Sequence, residues 1–410
     1  MSFANESSAS KKLAESFTLS PQPETLYKPI KEGGLYIGVP KETSFQERRV
    51  ALTPSSVSLL VNNGHQVTVE SDAGLNAHFK DIEYSEAGAR IVQDVKQVFD
   101  ADMVIKVAPP TMHEIGMMKM HQTVLSPLHL PMITEEYMNA IIKKKVTAVA
   151  YEYLKDEAGY FPIVRILSEI AGSSAVLIAA QCLSLDFQGK GILLGGISNL
   201  PPSKVVILGA GVVGEYVARS AIGLGADVRV FDDNLYKLMR LQNNLGRRVY
   251  TSSIIPEILS KELADAEVVV GAIHSESGSA PCVVSEAMVS QMKKGSVIID
   301  VSIDQGGCFE TSDITSHNKP TFTKHGVIHY CVPNIAARVP QTASKAFSNV
   351  LTSLLLKVND YAGNFDKLLH HQAGIRNGIY IYKGVLTNEF LANRFDLKHT
   401  NLDLFMTTDF

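Results

Sequence analysis

The sequence predicts an α/β protein made of two doubly wound parallel sheets that face each other across a cleft. The chain has 410 residues, more than the roughly 250–300 over which one hydrophobic core usually keeps growing, so two domains are expected. Strand-like apolar runs alternate with helical patterns in both halves of the chain, as is typical of parallel sheets covered by helices. A glycine-rich turn in the second half follows one such strand and opens one such helix.

In the first half, order is expected to begin at a short buried strand over 35–40, and 54–61 has the proline and apolar spacing of a helix. Further strands are predicted at 66–70, 103–107, 123–126 and 147–151, with helices near 92–99 and 135–144. A long, largely apolar helix is predicted over 161–185, buried between domains or subunits.

In the second half, strands are predicted at 205–208, 268–272, 296–301 and 327–331, with a helix at 285–292 between two of them. A helical pattern over 343–361 is expected to cross back to the first domain, which the last fifty or so residues would cap. We therefore predict a flexible N-terminal arm over 1–34, a discontinuous substrate domain (35–166 plus 340–410) and a nucleotide domain over 167–339.

The glycine-rich turn lies in the segment 204–232, which reads KVVILGAGVVGEYVARSAIGLGADVRVFD. Its order of strand, turn, helix, strand and acid is the pattern of a Rossmann-like dinucleotide site. Gly209 permits the sharp turn, Gly211 lets the backbone approach a pyrophosphate, and Gly214 lets helix and strand pack closely. The phosphates would lie at the helix N-terminus, where free N–H groups and the helix dipole favour an anion.

Asp232 ends the second strand of this unit, where a carboxylate can accept hydrogen bonds from the adenosine ribose. Because a carboxylate repels a 2′-phosphate, the predicted cofactor is NAD rather than NADP. Asp233 is an alternative ribose ligand, or the first residue of the next loop.

Composition and charge narrow the function further. The formal net charge of −4 gives no basic face for nucleic acid, so small molecules or other subunits are the expected partners. No apolar stretch is long enough to span a bilayer without interruption, and no signal peptide is evident, so a cytoplasmic protein is expected. The cysteines form no CxxC pair and no metal site is predicted; they are Cys182, Cys282, Cys308 and Cys331.

Four polar residues stand near the carboxyl ends of predicted strands, where ligands bind in open α/β sheets. Arg49 could pair with a substrate carboxylate through its planar fork, or be a surface arginine beside Arg48. His129, in the string SPLHLP, suits proton transfer near neutral pH, or could be a hydrogen-bonded core histidine.

The other two follow strands of the second half. Asp304 precedes two glycines in DVSIDQGGC, so its carboxylate is a candidate functional group or part of an acid-glycine turn. Asn334 could donate its amide to a nicotinamide or to substrate, or simply form a turn. By themselves these residues indicate a nicotinamide enzyme that acts on a small anion.

A series of motifs in order along the chain resembles the alanine dehydrogenase family, whose relatives include the NAD-binding subunit of proton-translocating transhydrogenase. The resemblance covers about 35–361 and rests on the strings GVPKET, RVALTP, LHL, AYE, SEIAG, GAG and IDQGGCFE. It implies reversible, NAD-dependent oxidative deamination of L-alanine to pyruvate and ammonia, and a hexamer.

The resemblance also implies residue roles. Arg49 would bind the substrate carboxylate, His129 would handle substrate oxygen and protons, and Asp304 would assist proton transfer. Ser168 and Asn334 would line the cofactor site, and Asp232 would hold the ribose.

One position departs from the family pattern. The family strand ends Lys-Val-Lys, and its second lysine lies against the substrate, whereas this chain reads Lys106-Val107-Ala108. Lys106, on the same strand face as Ala108, is a candidate replacement for that substrate-binding cation, or is structural. Two alternative functions therefore stand beside the first: a catalytically altered NAD(H)-binding protein of transhydrogenase-like type, and a related dehydrogenase for another amino or keto acid.

Overall fold

The computed structural model describes residues 34–44, 46–128, 130, 133–185, 189–275 and 278–408. The predicted arm, apart from Gly34, and the candidate His129 lie outside the described residues. Within them the chain forms two sheets flanked by helices, and the predicted fold class, two Rossmann-like α/β units, is confirmed.

The first sheet contains eight strands in the order β15-β14-β6-β5-β4-β1-β2-β3. The six strands from the first part of the chain are parallel and have the doubly wound order 3-2-1-4-5-6. Two strands from the C-terminal region, β14 and β15, extend its edge in antiparallel fashion. The strands are β1 (Tyr36–Val39), β2 (Gln66–Glu70), β3 (Arg90–Val92), β4 (Met103–Ile105), β5 (Thr123–Ser126), β6 (Thr147–Ala150), β14 (Ile379–Tyr382) and β15 (Val385–Leu386).

The second sheet contains seven strands in the order β12-β13-β11-β10-β7-β8-β9. All of its pairs are parallel except β12 with β13, and the parallel strands repeat the 3-2-1-4-5-6 order. The strands are β7 (Lys204–Leu208), β8 (Asp227–Phe231), β9 (Tyr250–Ser252), β10 (Val268–Gly271), β11 (Val297–Asp300), β12 (Thr321–Lys324) and β13 (Val327–Tyr330).

Helices cover the faces of both sheets, since the central strands are buried and apolar on both sides. They are α1 (Pro54–Asn62), α2 (Asp81–Glu86), α3 (Val95–Val98), α4 (Met112–Met117), α5 (Glu135–Lys143), α6 (Pro162–Leu183), α7 (Val212–Gly223), α8 (Leu235–Leu245), α9 (Pro256–Ala264), α10 (Glu286–Ser290), α11 (Pro340–Leu356), α12 (Phe365–His371), α13 (Ala373–Arg376), α14 (Glu389–Phe395) and α15 (Leu402–Thr408).

Helix α6 is the long apolar helix that the sequence predicts, and it packs against α7 of the second unit and against α11. The expectation that no apolar stretch is long enough to span a bilayer was wrong for this helix, because by length and composition alone it could cross a membrane, with a mean hydropathy of 1.7 over its best window. However, 44% of that window is buried inside the protein. A core helix of a soluble protein has these properties too, so α6 does not indicate a membrane protein.

The C-terminal region differs in detail from the prediction of a simple cap. Residues 379–386 add two strands to the first sheet, so this part of the chain completes the sheet as well as covering it. Strands β3 and β9 were not predicted, because three residues are too few to show an alternating pattern.

Candidate active site

The doubly wound order directs the site-forming loops to one edge of each sheet. The strand order reverses between the neighbouring strands β1 and β4 in the first sheet, and between β7 and β10 in the second. In folds of this type, ligands bind beyond the carboxyl ends of such a strand pair. In the first sheet this edge carries the loops after β1, β4 and β5, and in the second those after β7, β10, β11 and β13. Every predicted site residue except Ser168 and Gly214, which lie on helices, follows one of these strands or β8.

Arg49 lies in the loop between β1 and α1, and its side chain is 8% exposed. Helix α11 fixes this loop, because Ser344 and Ser348 accept hydrogen bonds from the backbone N–H groups of Val50 and Thr53, at 3.0 and 2.9 Å. The guanidinium donates from Nε and Nη2 to the two carboxylate oxygens of Glu47, at 2.8 and 2.6 Å. A guanidinium has five N–H donors, so its two bonds to the Glu47 carboxylate do not use all of them.

The Arg49–Glu47 pair stays ionised although it is buried. Burial alone would raise the pKa of the Glu47 carboxyl, but the charge and hydrogen bonds of Arg49 outweigh burial and leave that pKa below its usual value. Burial would likewise lower the pKa of Arg49, and the charge of Glu47 reverses the shift.

Lys106, the residue after β4, is fully buried, and its ammonium has two carboxylate partners in the same unit. Its Nζ lies 3.0 Å from Glu42 Oε2 and 2.7 Å from Glu114 Oε1. Glu42 also accepts from Val107 N, and Glu114 accepts from Thr111 N at the start of α4. Lys106 thus fixes the loop after β4, and this geometry favours the structural alternative for it over direct contact with substrate.

Ala108 lies in the same loop and is 6% exposed. The carbonyl of Val107, its neighbour, accepts a hydrogen bond from the Tyr151 hydroxyl at 2.7 Å. A methyl group therefore stands where the resemblance places a lysine.

Asp304 and Asn334 come from different loops of the second sheet and are joined by a hydrogen bond. Asp304 lies in the short 3₁₀ helix after β11, and its Oδ1 accepts from the backbone N–H of Asn334 at 3.0 Å. Asn334 has a left-handed backbone with φ of 53°, and its Nδ2 donates to Glu47 Oε2 at 2.8 Å. The structure therefore brings Arg49, Asn334 and Asp304 into one connected group across the cleft.

The glycine turn has the geometry that a dinucleotide requires. Gly209 has a φ of 106°, in the region that favours glycine. A Cβ on Gly214 would lie 1.9 Å from the carbonyl oxygen of Gly209, whereas a Cβ on Gly211 would meet nothing within 4 Å. Gly214 is thus required for packing, and Gly211 borders open space at the N-terminus of α7, where backbone N–H groups and the helix dipole favour an anion.

Asp232 lies beside this turn, as predicted for a ribose ligand. Its Oδ2 accepts from Ala210 N at 2.7 Å and its Oδ1 from Asn234 N at 2.8 Å, which fixes the carboxylate. The exposed Asp233 instead accepts from Ile254 N at 2.8 Å, so it holds the loop after β9. These contacts favour Asp232 over Asp233 as the ribose ligand.

Of the two remaining predicted residues, the structure describes only Ser168. Ser168 is half-buried in the first half of α6. His129 lies outside the described residues. The N–H of Leu128, in the loop after β5, donates to Glu152 Oε1 at 2.6 Å and so connects this loop to the 3₁₀ turn after β6.

Sequence reasoning missed three glutamates that orient the site: Glu42, Glu47 and Glu114. Their signal was weak, because each lies in a polar loop or at a helix start where acidic residues are common. Glu47 could have been noticed as an acid two residues before Arg49. Gln305 was also missed; it makes paired hydrogen bonds with the backbone of Ser275, at 2.9 and 3.0 Å, and so joins the loops after β10 and β11.

Comparisons with known proteins identify the family of the chain. Family models described as alanine dehydrogenase/PNT match residues 38–171 (N-terminal domain) and 175–389 (C-terminal domain). The chain is 42% identical over 359 residues to an alanine dehydrogenase of Bacillus subtilis (strain 168), covering 87% of this chain and 94% of that protein. It is 39% identical over 370 residues to alanine dehydrogenase 2 of Staphylococcus aureus (strain USA300), covering 90% and 98%.

Solved structures give the same result. An L-alanine dehydrogenase superposes with a TM-score of 0.83 at 38% identity, covering 88% of this chain and 99% of that one. A transhydrogenase from Sinorhizobium meliloti shares the fold, with a TM-score of 0.75 at 24% identity and coverage of 87% and 99%. The chain belongs to the alanine dehydrogenase/PNT family.

Proposed function

We propose that this chain catalyses the reversible, NAD-dependent oxidative deamination of L-alanine to pyruvate and ammonia. The observation that carries the proposal is the connected group of Arg49, Glu47, Asn334 and Asp304, which puts a buried cation and a carboxylate on facing edges of the two sheets. Identities of 39% and 42% to proteins named alanine dehydrogenase support alanine as the substrate.

The proposed reaction assigns separate roles to the residues that bind substrate, transfer protons and bind NAD. The N–H groups of Arg49 that Glu47 does not use bind the substrate carboxylate and hold Cα in line for transfer. Asp304 and His129 move protons to and from the amino group, the substrate oxygen and the water that adds to the imine. Bound NAD supplies the hydride acceptor. Asp232 holds the ribose, Gly209, Gly211 and Gly214 shape the phosphate turn, and Ser168 and Asn334 line the nicotinamide side.

We further propose that the domains have the predicted bounds: 35–166 plus 340–410 for substrate, and 167–339 for NAD. Strands β14 and β15 in the first sheet support the discontinuous domain. By the same resemblance we propose a cytoplasmic homo-oligomer, a hexamer. Exposed apolar side chains on and beyond α6, such as Leu177 (59% exposed) and Leu185 (76% exposed), support subunit contacts. Light scattering coupled to size exclusion measures the mass directly.

The activity is tested by NADH consumption with pyruvate plus ammonia, beside a panel of larger 2-keto acids. Because Ala108 replaces a bulky lysine, the panel also tests whether the pocket accepts a longer side chain. We expect turnover with pyruvate and ammonia, and none when either is omitted. NADH binding without turnover on any keto acid would favour the catalytically altered NAD-binding protein.

The role of Arg49 is tested by Arg49→Lys, which retains a cation beside buried Glu47 but loses the two-pronged fork. We expect KM for pyruvate to rise about 30-fold or more, the cost of weakening a desolvated charge pair, with KM for NADH nearly unchanged. Steady-state kinetics with each substrate varied in turn measures both values. Equal increases in both would remove Arg49 from the substrate site.

A further inference from the structure

The buried Glu47 carboxylate, which none of the proposed catalytic steps uses, accepts hydrogen bonds on both oxygens. Oε1 accepts from the backbone N–H groups of Arg48 and Arg49, at 3.1 and 3.0 Å, and from Arg49 Nε at 2.8 Å. Oε2 accepts from Arg49 Nη2 at 2.6 Å and from Asn334 Nδ2 at 2.8 Å. Glu47 is 6% exposed, so these bonds replace water almost entirely.

The bond to Asn334 joins parts of the chain that are 287 residues apart and belong to different sheets. Asn334 is itself held by its left-handed backbone and by the bond from its N–H to Asp304. The neighbouring Gln46 makes a second contact of this kind, since its Oε1 accepts from His317 N at 2.9 Å. The loop that carries Arg49 is therefore attached to the second sheet at two adjacent points.

A carboxylate suits this position better than its amide. All five groups that face Glu47 are N–H donors, and an ionised carboxylate is an acceptor on both oxygens. A glutamine would turn its NH₂ group toward either Arg49 or Asn334, leaving a donor against a donor. It would also leave the buried Arg49 without a counter-charge.

We propose that Glu47 is a positioning residue that couples substrate binding at Arg49 to NADH binding at Asn334. The inference rests on the proposed function, since it takes Arg49 as the carboxylate-binding group. Substrate bound to the N–H groups of Arg49 that Glu47 does not use restrains the guanidinium. Through its hydrogen bonds to both residues, Glu47 then restrains Asn334 as well. The two domains are thereby held together around NADH. By linkage, NADH raises the affinity for pyruvate by the same factor.

The test is a fluorescence titration of NADH with and without saturating pyruvate, in the absence of ammonia so that no turnover occurs. The measured quantity is the ratio of the two NADH dissociation constants. We expect a ratio of about fivefold or more for the wild type and a ratio near one for Glu47→Gln. A merely structural Glu47 would lower the melting temperature but leave this ratio unchanged in the folded protein.

Asn334→Gly provides a second route if Glu47→Gln does not fold. Glycine accepts the left-handed backbone, and the Arg49–Glu47 pair remains intact while the side-chain amide that reaches Glu47 is lost. Loss of the proposed contact between that amide and the nicotinamide would raise both NADH dissociation constants alike, so their ratio still measures the coupling. Its ratio is also expected near one, and combining it with Glu47→Gln in a foldable protein should add no further loss. The matched control is Glu267→Gln, a glutamate at the amino end of β10 that binds Lys204 N and Lys293; its ratio should equal that of the wild type.

Two outcomes overturn the coupling role: a wild-type ratio of one, or a folded Glu47→Gln or Asn334→Gly protein that keeps the wild-type ratio. The activity itself is judged separately, by wild-type turnover of pyruvate, ammonia and NADH. Turnover with an unchanged ratio in the variants would reject the Glu47 bridge alone. Absence of turnover would reject the alanine reaction.

Discussion

At the scale of single residues, the partner of each buried charge decides its role. Arg49 and Lys106 are both buried cations near the same loops, yet Arg49 has one carboxylate partner on one edge, and Lys106 lies between two carboxylates. A desolvated ammonium with two counter-charges is strongly held in place, because removing either partner would leave an uncompensated charge. This difference separates the proposed substrate cation from a structural one.

Restoring a lysine at Ala108 tests the departure from the family pattern. Because Glu42 lies against Val107, an ammonium introduced next to it has a carboxylate nearby. We expect Ala108→Lys to lower KM for pyruvate about tenfold, as a second cation near the substrate carboxylate should. Ala108→Met, of similar length without charge, is the control. The same KM in both variants would show that charge at this position does not reach the substrate.

If Asp232 holds the ribose, as proposed, its charge decides the choice between NAD and NADP. We expect Asp232→Ser to shift the NADPH-to-NADH preference at least about tenfold toward NADPH, since the repulsion of a 2′-phosphate is removed. Arg240, whose Nη2 donates to Ala210 O at 3.1 Å, supplies a nearby cation for that phosphate. The measurement is kcat/KM with each cofactor. The matched variant Asp233→Ser should retain the wild-type preference, and the reverse pattern would assign the ribose to Asp233.

At the scale of the element, the β7-turn-α7 unit uses its glycines for different physical reasons. Gly209 needs its positive φ, Gly214 needs the space that a Cβ would fill, and Gly211 has neither constraint in the protein itself. Packing and backbone conformation do not require a glycine at 211, which is consistent with the proposal that a ligand comes close to the backbone there.

These reasons predict that alanine at Gly214 affects stability, whereas alanine at Gly211 affects NADH binding. Gly214→Ala is expected to reduce the free energy of unfolding by about 1–3 kcal/mol, because its Cβ overlaps the Gly209 carbonyl. Gly211→Ala should leave stability nearly unchanged and raise the NADH dissociation constant about tenfold or more. Urea unfolding and NADH fluorescence measure the two effects. Unchanged NADH binding in Gly211→Ala would place the pyrophosphate elsewhere.

At the scale of the whole molecule, two sheets with the same order of parallel strands meet through the loops that follow the carboxyl ends of those strands. Nearly all of the candidate site comes from these loops, and the bonds from Gln46 and Glu47 to the second unit join them. The C-terminal strands β14 and β15 and helix α11 return the chain to the first unit, which makes that unit discontinuous.

The stability of the molecule should fall in mild acid because of His329, a buried residue of β13. Burial lowers the pKa of its imidazole to about 4, whereas an unfolded histidine titrates near 6.5. Below pH ~6.5 the unfolded chain binds a proton that the folded protein does not, so the free energy of unfolding falls, by about 2 kcal/mol from pH 7 to 5. Urea unfolding at both pH values measures this change.

His329→Gln is the control for that measurement. A glutamine retains a polar partner for Thr311, whose hydroxyl lies 2.8 Å from the imidazole. Between pH 7 and 5, the free energy of unfolding of the variant should fall by about 2 kcal/mol less than that of the wild type. An identical loss in both proteins would mean that other groups cause the acid sensitivity.

The fold class, confirmed by the structure, and the dinucleotide turn could be predicted from the sequence because they depend on local patterns, and the same patterns singled out most of the candidate residues. Apolar period, glycine position and an acid at a strand end are all visible within about 30 residues. The resemblance to the alanine dehydrogenase family rests on short motifs that follow one another along the chain, and the matching family models confirm it.

The folded structure was needed to show which charged side chains contact each other. The contact of Glu47 with Asn334, the enclosure of Lys106 by Glu42 and Glu114, and the addition of β14 to β6 join residues far apart in the chain. A periodic pattern shows which face of an element is buried, but the partner of a buried charge depends on how the units pack. For that reason the sequence could single out Arg49 as a candidate, and the structure was needed to find Glu47, the carboxylate that pairs with it.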